Sequence, residues 1–425
     1  MLSTLRNAWK VPDLRKRLIY TVFMIVLFRL GNYIPLPGVD TKVLTNLTKG
    51  GSTLFNFYDL ISGGAFTRAS IFGMGVIPYI NSSIIMQLLT IAIPSLEQLS
   101  KEGEEGRKKI QNYTRYGAVI LGFLQAFGQY ATITQFGAVK DTSAFNIFLI
   151  MLTLTASSTF LMWFGDKITE NGIGNGISLL IFINIISRFP STIYRLVEMQ
   201  KGDTSNIISA IILILVVLAL FVATVAVSLA ERRIPVQYAG RTGAQGKVFK
   251  GQSTHIPINV TSSAVIGIIF AISVMMFPAT IGKFWPNSAF NIFITTSKFS
   301  LFKENTWQYA ATYAFLSIFF TWFYTLVTMK PDEMAENMHK SSGFIPGIRP
   351  GVPTENYIEK VLNKVSILGG IFAAAIVVLP MAFESKFSGI SLGGTGLLIE
   401  VGVAIETIRQ IESQLVMRHY HGFLK

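Results

Sequence analysis

Reactive side chains are scarce in this chain, and those present do not fall into catalytic spacings. The 425 residues include no cysteine, which removes disulfides, thiolate nucleophiles and zinc-thiolate sites together. Four histidines remain, His255, His339, His419 and His421, with no pair at the i,i+4 spacing that places two ligands on one helix face. The nearest approach to a phosphate-binding loop runs from Arg241 through Gly246 and Lys247 to Val248. A P-loop needs Gly where Arg241 stands and Ser or Thr where Val248 stands, so the string fails at both ends. Gly172, Gly174 and Gly176 alternate ahead of an apolar run, without the preceding strand or the spacing of a dinucleotide fingerprint. These residues predict no enzyme activity, no metal and no cofactor, and any work done on a substrate must be powered by another component.

Three charged residues stand out because their neighbours are apolar: Arg29, Glu400 and Glu406. Ionisable groups inside spanning segments mark substrate and proton pathways. One carboxylate pair makes a thin proton path, and Arg29 is expected to snorkel or pair. No potassium-type filter string occurs. A different feature is the run Ser62-Gly63-Gly64-Ala65-Phe66-Thr67-Arg68-Ala69-Ser70, small and polar, followed by Gly73, Gly75 and Pro78 in an apolar stretch. It predicts a broken helix, with a short half-helix, a joint, and a full span from about Val76. Non-helical backbone at membrane depth survives only where protein buries it or where it lines a water-filled cavity. The competing reading is an ordinary extracellular loop.

The elements that must carry these residues follow from composition. Hydrophobic residues make up 51% of the chain, charged residues only 14%, and the mean hydropathy is +0.50. A soluble chain carries about 25% charged residues, and so apolar a chain could not stay unfolded in water. A membrane of about 30 Å hydrocarbon thickness needs roughly 20 apolar helical residues per crossing. Runs of that order cover 18–39, 69–96, 116–139, 143–164, 207–230, 256–281, 306–329, 365–383 and 387–411, with a shorter one at 172–187. The expectation is an all-α polytopic membrane protein with ten transmembrane helices. Residues 1–200 would hold spans one to five and residues 201–425 spans six to ten, with long basic loops near 231–255 and 330–364. An odd number of spans per half is what an inverted repeat requires. Alternating the loops across the membrane puts 24 of the 36 lysines and arginines on the side of the termini, which the positive-inside rule assigns to the cytoplasm. The first apolar run reads as a retained helix, since no small-residue cleavage site follows it.

Several strings together resemble one family. They are SGGAFTRAS (62–70), PYINSSIIMQLLT (78–90), KEGEEGRKKI (101–110), TRYG (114–117), TENGIGNGIS (169–178), QSTHIP (252–257), FPATI (277–281), PGIRPG (346–351) and GGTG (393–396). In this order and over nearly the whole length, they resemble the SecY family, the channel-forming subunits of the bacterial Sec protein translocase. The resemblance implies two pseudo-symmetric inverted halves clamped by a small SecE partner, with an hourglass pore between them. It implies a channel that passes unfolded secretory chains across the plasma membrane and releases hydrophobic segments sideways into lipid. By position, Val76, Ile80, Ile181, Ile269 and Ile399 match the pore ring, and residues near 60–72, including Ser62 to Arg68, match the plug. Asn81, Gln87 and Thr261 fall on the lateral gate. Arg241, Lys247, Lys250 and Arg349 fall on the docking surface for the SecA motor or the ribosome. SecG, signal-bearing substrates and membrane lipids complete the implied partners, with rRNA touched only through a docked ribosome. An apolar ring excludes ions by dewetting while offering no fixed hydrogen bonds to a passing chain. Glu400, next to Ile399, departs from the apolar residue expected there. The rival readings are a secondary transporter of a small solute and a ribosome receptor without a pore.

Overall fold

A computed structural model describes residues 2–41, 43, 62–135, 137–139, 141–190, 204–238, 253–261, 263–282, 288–297, 300–303, 306–384 and 394–423. Most of them are helical. In the N-terminal part, α1 (Leu2–Lys10) and α2 (Pro12–Gly31) precede α3 (Ile77–Ala92), α4 (Pro94–Lys101), α5 (Glu104–Gln135), α6 (Ala144–Asn171) and α7 (Gly176–Ile186). After α8 (Thr204–Leu229) come two strands, β1 (Glu231–Tyr238) and β2 (Ser253–Asn259). They are followed by α9 (Ala264–Gly282), α10 (Ala289–Thr296), α11 (Trp307–Met329), α12 (Pro331–Lys340), β3 (Gly343–Phe344), α13 (Val352–Glu384) and α14 (Gly394–Phe423).

By length and composition, α6, α13 and the run Trp307–Lys340 could each cross a membrane, as could α3 and α4 taken as one bent pair. Gly176–Ile186, Ile214–Leu229 and Ala264–Pro278 are shorter apolar helices. The axis turns by 100° between α3 and α4. Ile93 between them is extended, at φ −110° and ψ 112°, because it precedes Pro94, whose ring disfavours a helical conformation in the residue before it.

Two features depart from the sequence expectation. The first is that residues 62–76 form a chain of hydrogen-bonded turns where a half-helix was expected, and the regular helix begins at Ile77. Gly63 (φ 64°), Gly64 (φ 84°), Ala69 (φ 45°) and Gly75 (φ 57°) hold left-handed backbone that interrupts any helix. The second is that the chain is not purely helical, since the loop regions after α8 and α11 form a three-stranded sheet of order β2-β1-β3. In it Glu231 pairs with Asn259 and Gln237 with Ser253, antiparallel. Ile234 and Val236 point inward and their neighbours outward, the period-two pattern that sets a sheet on a core. Pro235 is tolerated because β3 pairs only with Gln237 and Tyr238. Ile234, Val236 and Ile258 pack on Ala335, Met338, Ile358 and Leu362 of α12 and α13.

Helices in the C-terminal part approach closely through small residues. A Cβ on Gly267 of α9 would meet Thr321 of α11, and one on Gly370 of α13 would come within 2.9 Å of the Ile318 backbone. Such glycines let apolar helices gain dispersion contacts where no hydrophobic force between them exists in lipid. Around this seam Ile268, Ile272, Met275, Tyr313, Ile376 and Leu398 form one buried cluster.

Candidate functional site

A second apolar cluster joins residues far apart in sequence. Val76 stands at the N-cap of α3 and Ile80 lies one turn on, so both project to the same side. Ile181 comes from α7, Ile269 from α9 and Ile399 from α14. All five belong to this cluster, with Val76, Ile181 and Ile399 at 3%, 6% and 3% exposure and the other two half-buried. Ala65 and Phe72 of the turn segment are buried in the same cluster. The spacing of apolar residues alone could not have picked these five out of so many.

On one side of the cluster lies a cavity of about 410 Å³. Ile181, Ile269 and Ile399 form part of its wall, and Asn175, Ser178, Ser228, Asn259 and Thr261 add polar groups. Exposed Glu406 and Arg409 also line it. Glu400 does not contribute to the wall. It projects about 100° around α14 from Ile399, is 6% exposed, and has an Oε1 without a hydrogen-bond partner among the described residues.

The turn segment is held to the end of α2 and to the chain that follows it. Leu36 N–H donates to the Ala69 carbonyl at 2.7 Å, Ile71 N–H to Ile34 O at 3.0 Å, and Ser70 Oγ to Gly31 O at 3.3 Å. Phe72 stacks on Phe28 with ring centroids 5.9 Å apart. Ser62 to Phe66 are buried, Thr67 is half-buried, and exposed Arg68 lies over the Tyr33 ring at 4.5 Å. Arg29 is half-buried; its Nη1 donates to Asn184 Oδ1 at 3.5 Å, an oxygen that also accepts from Asn32 Nδ2 at 3.2 Å.

The three polar residues expected at the gate behave differently. Asn81 of α3 accepts from Ser273 Oγ of α9 at 3.1 Å, linking the two helices. Gln87 is exposed and donates to Ser83 within its own helix at 3.3 Å. Thr261 is buried at the cavity wall. Of the four basic residues expected at the docking surface, Arg349 is exposed between β3 and α13, where its carbonyl accepts from Thr354 Oγ1 at 2.8 Å. Arg241, Lys247 and Lys250 lie outside the described residues. Sequence reasoning missed Asn32, Asn184 and Ser273. Asn184 was visible as a lone amide in an apolar run, but nothing local indicated its partners.

A family model for SecY matches residues 70–408. The whole chain aligns with the protein translocase subunit SecY of Halalkalibacterium halodurans at 40% identity, covering all of both chains. It aligns at 39% with the SecY subunit of Thermotoga maritima, covering all of this chain and 98% of that one. The chain belongs to the SecY family. Among solved structures, one described as a protein conducting channel is similar at a TM-score of 0.64 and 17% identity, over 96% of each chain. Another, a SecY whose plug domain is described as stabilising the closed channel, matches at 0.64 and 18% identity, again over 96% of both. A canine Sec61 in a ribosome-channel complex matches at 0.59. At these identities the likeness is one of fold.

Proposed function

We propose that this chain is the protein-conducting channel of a bacterial translocase, with the apolar cluster of Val76, Ile80, Ile181, Ile269 and Ile399 as its constriction. The observation that carries the reading is that side chains from α3, α7, α9 and α14 converge there, beside a mainly apolar cavity with some polar groups in its wall and against a buried turn segment. An aliphatic constriction repels water and ions by dewetting, and it makes no hydrogen bond that would hold a passing peptide. Residues 62–72 act as the plug over it. The ten spans form two inverted halves, 1–200 and 201–425, with both termini in the cytoplasm of a plasma-membrane protein. Opening parts α3 and α5 from α9 and α11, so that hydrophobic segments leave sideways into lipid. Asn81 and Thr261 serve at that gate, and Gln87 serves there only once the helices move. SecE and SecG are the small partners. SecA or the ribosome docks on the sheet and on the loops carrying Arg241, Lys247, Lys250 and Arg349. A signal sequence shifts the closed–open equilibrium by its differential affinity for the open gate.

The chain's lack of cysteine makes the test direct. A single Cys replaces Ile181, a secretory chain bearing one Cys is stalled midway, and disulfide formation is scored in membranes. A parallel Cys replaces exposed Phe148 of α6. Cross-linking at 181 and not at 148 supports a polypeptide path through the constriction. Equal or absent cross-linking while secretion continues rejects it.

A further inference from the structure

Beneath the turn segment, the side chains of α2 and α7 make a small polar floor inside an otherwise apolar region. Asn32 is 0% exposed and Asn184 4%. The Asn184 amide oxygen gathers Asn32 Nδ2 at 3.2 Å and Arg29 Nη1 at 3.5 Å. Gly63 lies directly against this floor. A Cβ built there would stand 2.5 Å from Asn184 Oδ1 and 2.9 Å from Arg29 Nη1. The residue also has φ +64°, a backbone conformation that costs a side-chain-bearing residue energy. Two independent constraints, steric and conformational, therefore demand glycine at the point where the segment meets the floor.

The charges here are unbalanced. No carboxylate among the described residues pairs with Arg29 or Arg68. The two arginines lie close enough to repel each other, and Tyr33 contacts both. Docking the segment thus brings like charges together in a partly dry site. Amide hydrogen bonding to Arg29 and the Tyr33 ring under Arg68 offset that repulsion.

We propose that Arg29, Asn32 and Asn184 form a seat that positions the plug by accepting the Gly63 turn, and that leaving this seat is the step that unblocks the outer side of the channel. The three are positioning residues: Arg29 and Asn184 lie against the plug, Asn32 holds the Asn184 amide in place, and none is required to touch the translocating chain. Neutral amides and like-charged arginines make the seat tight enough to hold the segment yet not an ion pair that would be costly to break. The inference rests on reading residues 62–72 as the plug.

Because the chain has no native cysteine, plug position can be read from one introduced thiol. Ala65, 0% exposed, is replaced by Cys, and its labelling by a membrane-impermeant maleimide is timed in sealed vesicles holding the complex with its partner subunits. In the otherwise unchanged chain labelling is slow. Gly63→Ala speeds it by about fivefold to thirtyfold, the population change that one to two kcal/mol produces. In an Asn184→Ala background, where the obstructing oxygen is gone, that factor shrinks at least about threefold, the coupling expected for residues in contact. If Gly63→Ala does not assemble, Asn184→Gln, whose longer amide enters the Gly63 space, carries the same expected rise. An equal factor in both backgrounds would mean that only backbone strain at Gly63 matters, and the seat would be rejected. No rise in any variant would reject it too. Deleting residues 62–70 tests the underlying reading separately. Raised ion conductance upholds the plug whatever the labelling gives, and unchanged conductance overturns plug and seat together.

Discussion

Single side chains set two features of this channel. The hydrogen bond from Ser273 Oγ to Asn81 joins α9 to α3, the helices of the proposed gate. Bonds of this kind between helices contribute about 0.6–2 kcal/mol, so a gate closed by it would be favoured without being locked. Asn81→Ala should ease opening and raise export of a passenger with a weakened signal sequence by about 3–30-fold, the range that energy implies. Ser273→Ala should do the same, and the double variant no more than either alone. Export that falls, or adds across the two variants, would place the bond elsewhere in the cycle. Glu400 is the second case. Its carboxylate is buried with one oxygen unpartnered, away from the cavity wall. An unsatisfied buried polar group costs about 1–3 kcal/mol. Glu400→Val should therefore raise the Tm of the purified complex, and a lowered Tm would mean that the carboxylate is satisfied by a group it does not meet here. The dry constriction is compatible with this residue because Ile399 and Glu400 point about 100° apart on the helix.

At the level of elements, packing explains why some pieces are rigid. The sheet β2-β1-β3 would be marginal alone, but Ile234, Val236 and Ile258, all at or below 1% exposure, fasten it to α12 and α13. This gives the sheet a firm backing, and Arg232, Arg233 and Arg349 are exposed beside it for the proposed docking. Ile258→Ala should remove about 2–5 kcal/mol of local packing. It should speed protease cleavage between β1 and β2 while the membrane helices stay intact. Unchanged cleavage would show that the sheet does not depend on this core. Within the helices, the Gly267–Thr321 approach sets the spacing of α9 and α11. Gly267→Val overfills that seam, where overpacking costs about 1–3 kcal/mol, and should lower the Tm of the complex. A Gly267→Val Tm equal to that of the parent would mean that the helices are free to separate.

For the molecule as a whole, the proposed division of labour is between an apolar body and a basic cytoplasmic side. Outward-facing Val22, Phe23, Ile120, Phe148, Leu215, Phe315 and Leu368, each more than half exposed, suit a lipid surround. Under the proposed ten-span topology, 24 of the 36 lysines and arginines fall on the side of the termini. A reporter fused after Lys425 should accordingly be active only if it works in the cytoplasm, and an alkaline phosphatase fusion there should be inactive. An active phosphatase would invert the topology. The cavity and the buried turn segment both adjoin the apolar cluster, and in the proposed mechanism motion of a gate and a plug suffices for transport.

Apolar run length and charge placement were legible in the sequence because transfer to lipid is summed over about 20 neighbouring residues. The family strings added the expected positions of ring, plug, gate and docking loops. The glycine and proline punctuation of residues 62–78 also announced an interrupted span, although it could not distinguish a half-helix from the turns that occur. Tertiary structure alone decided the rest, for a common physical reason. Arg29 meets Asn184 across 155 residues and Asn81 meets Ser273 across 192, and hydropathy and spacing carry no information at such separations. The strand pattern at 231–238 was short, and its burial depended on two later helices. Which face of α14 looks into the cavity was likewise set by packing against its neighbours, and that alone separates Ile399 on the wall from Glu400 beside it.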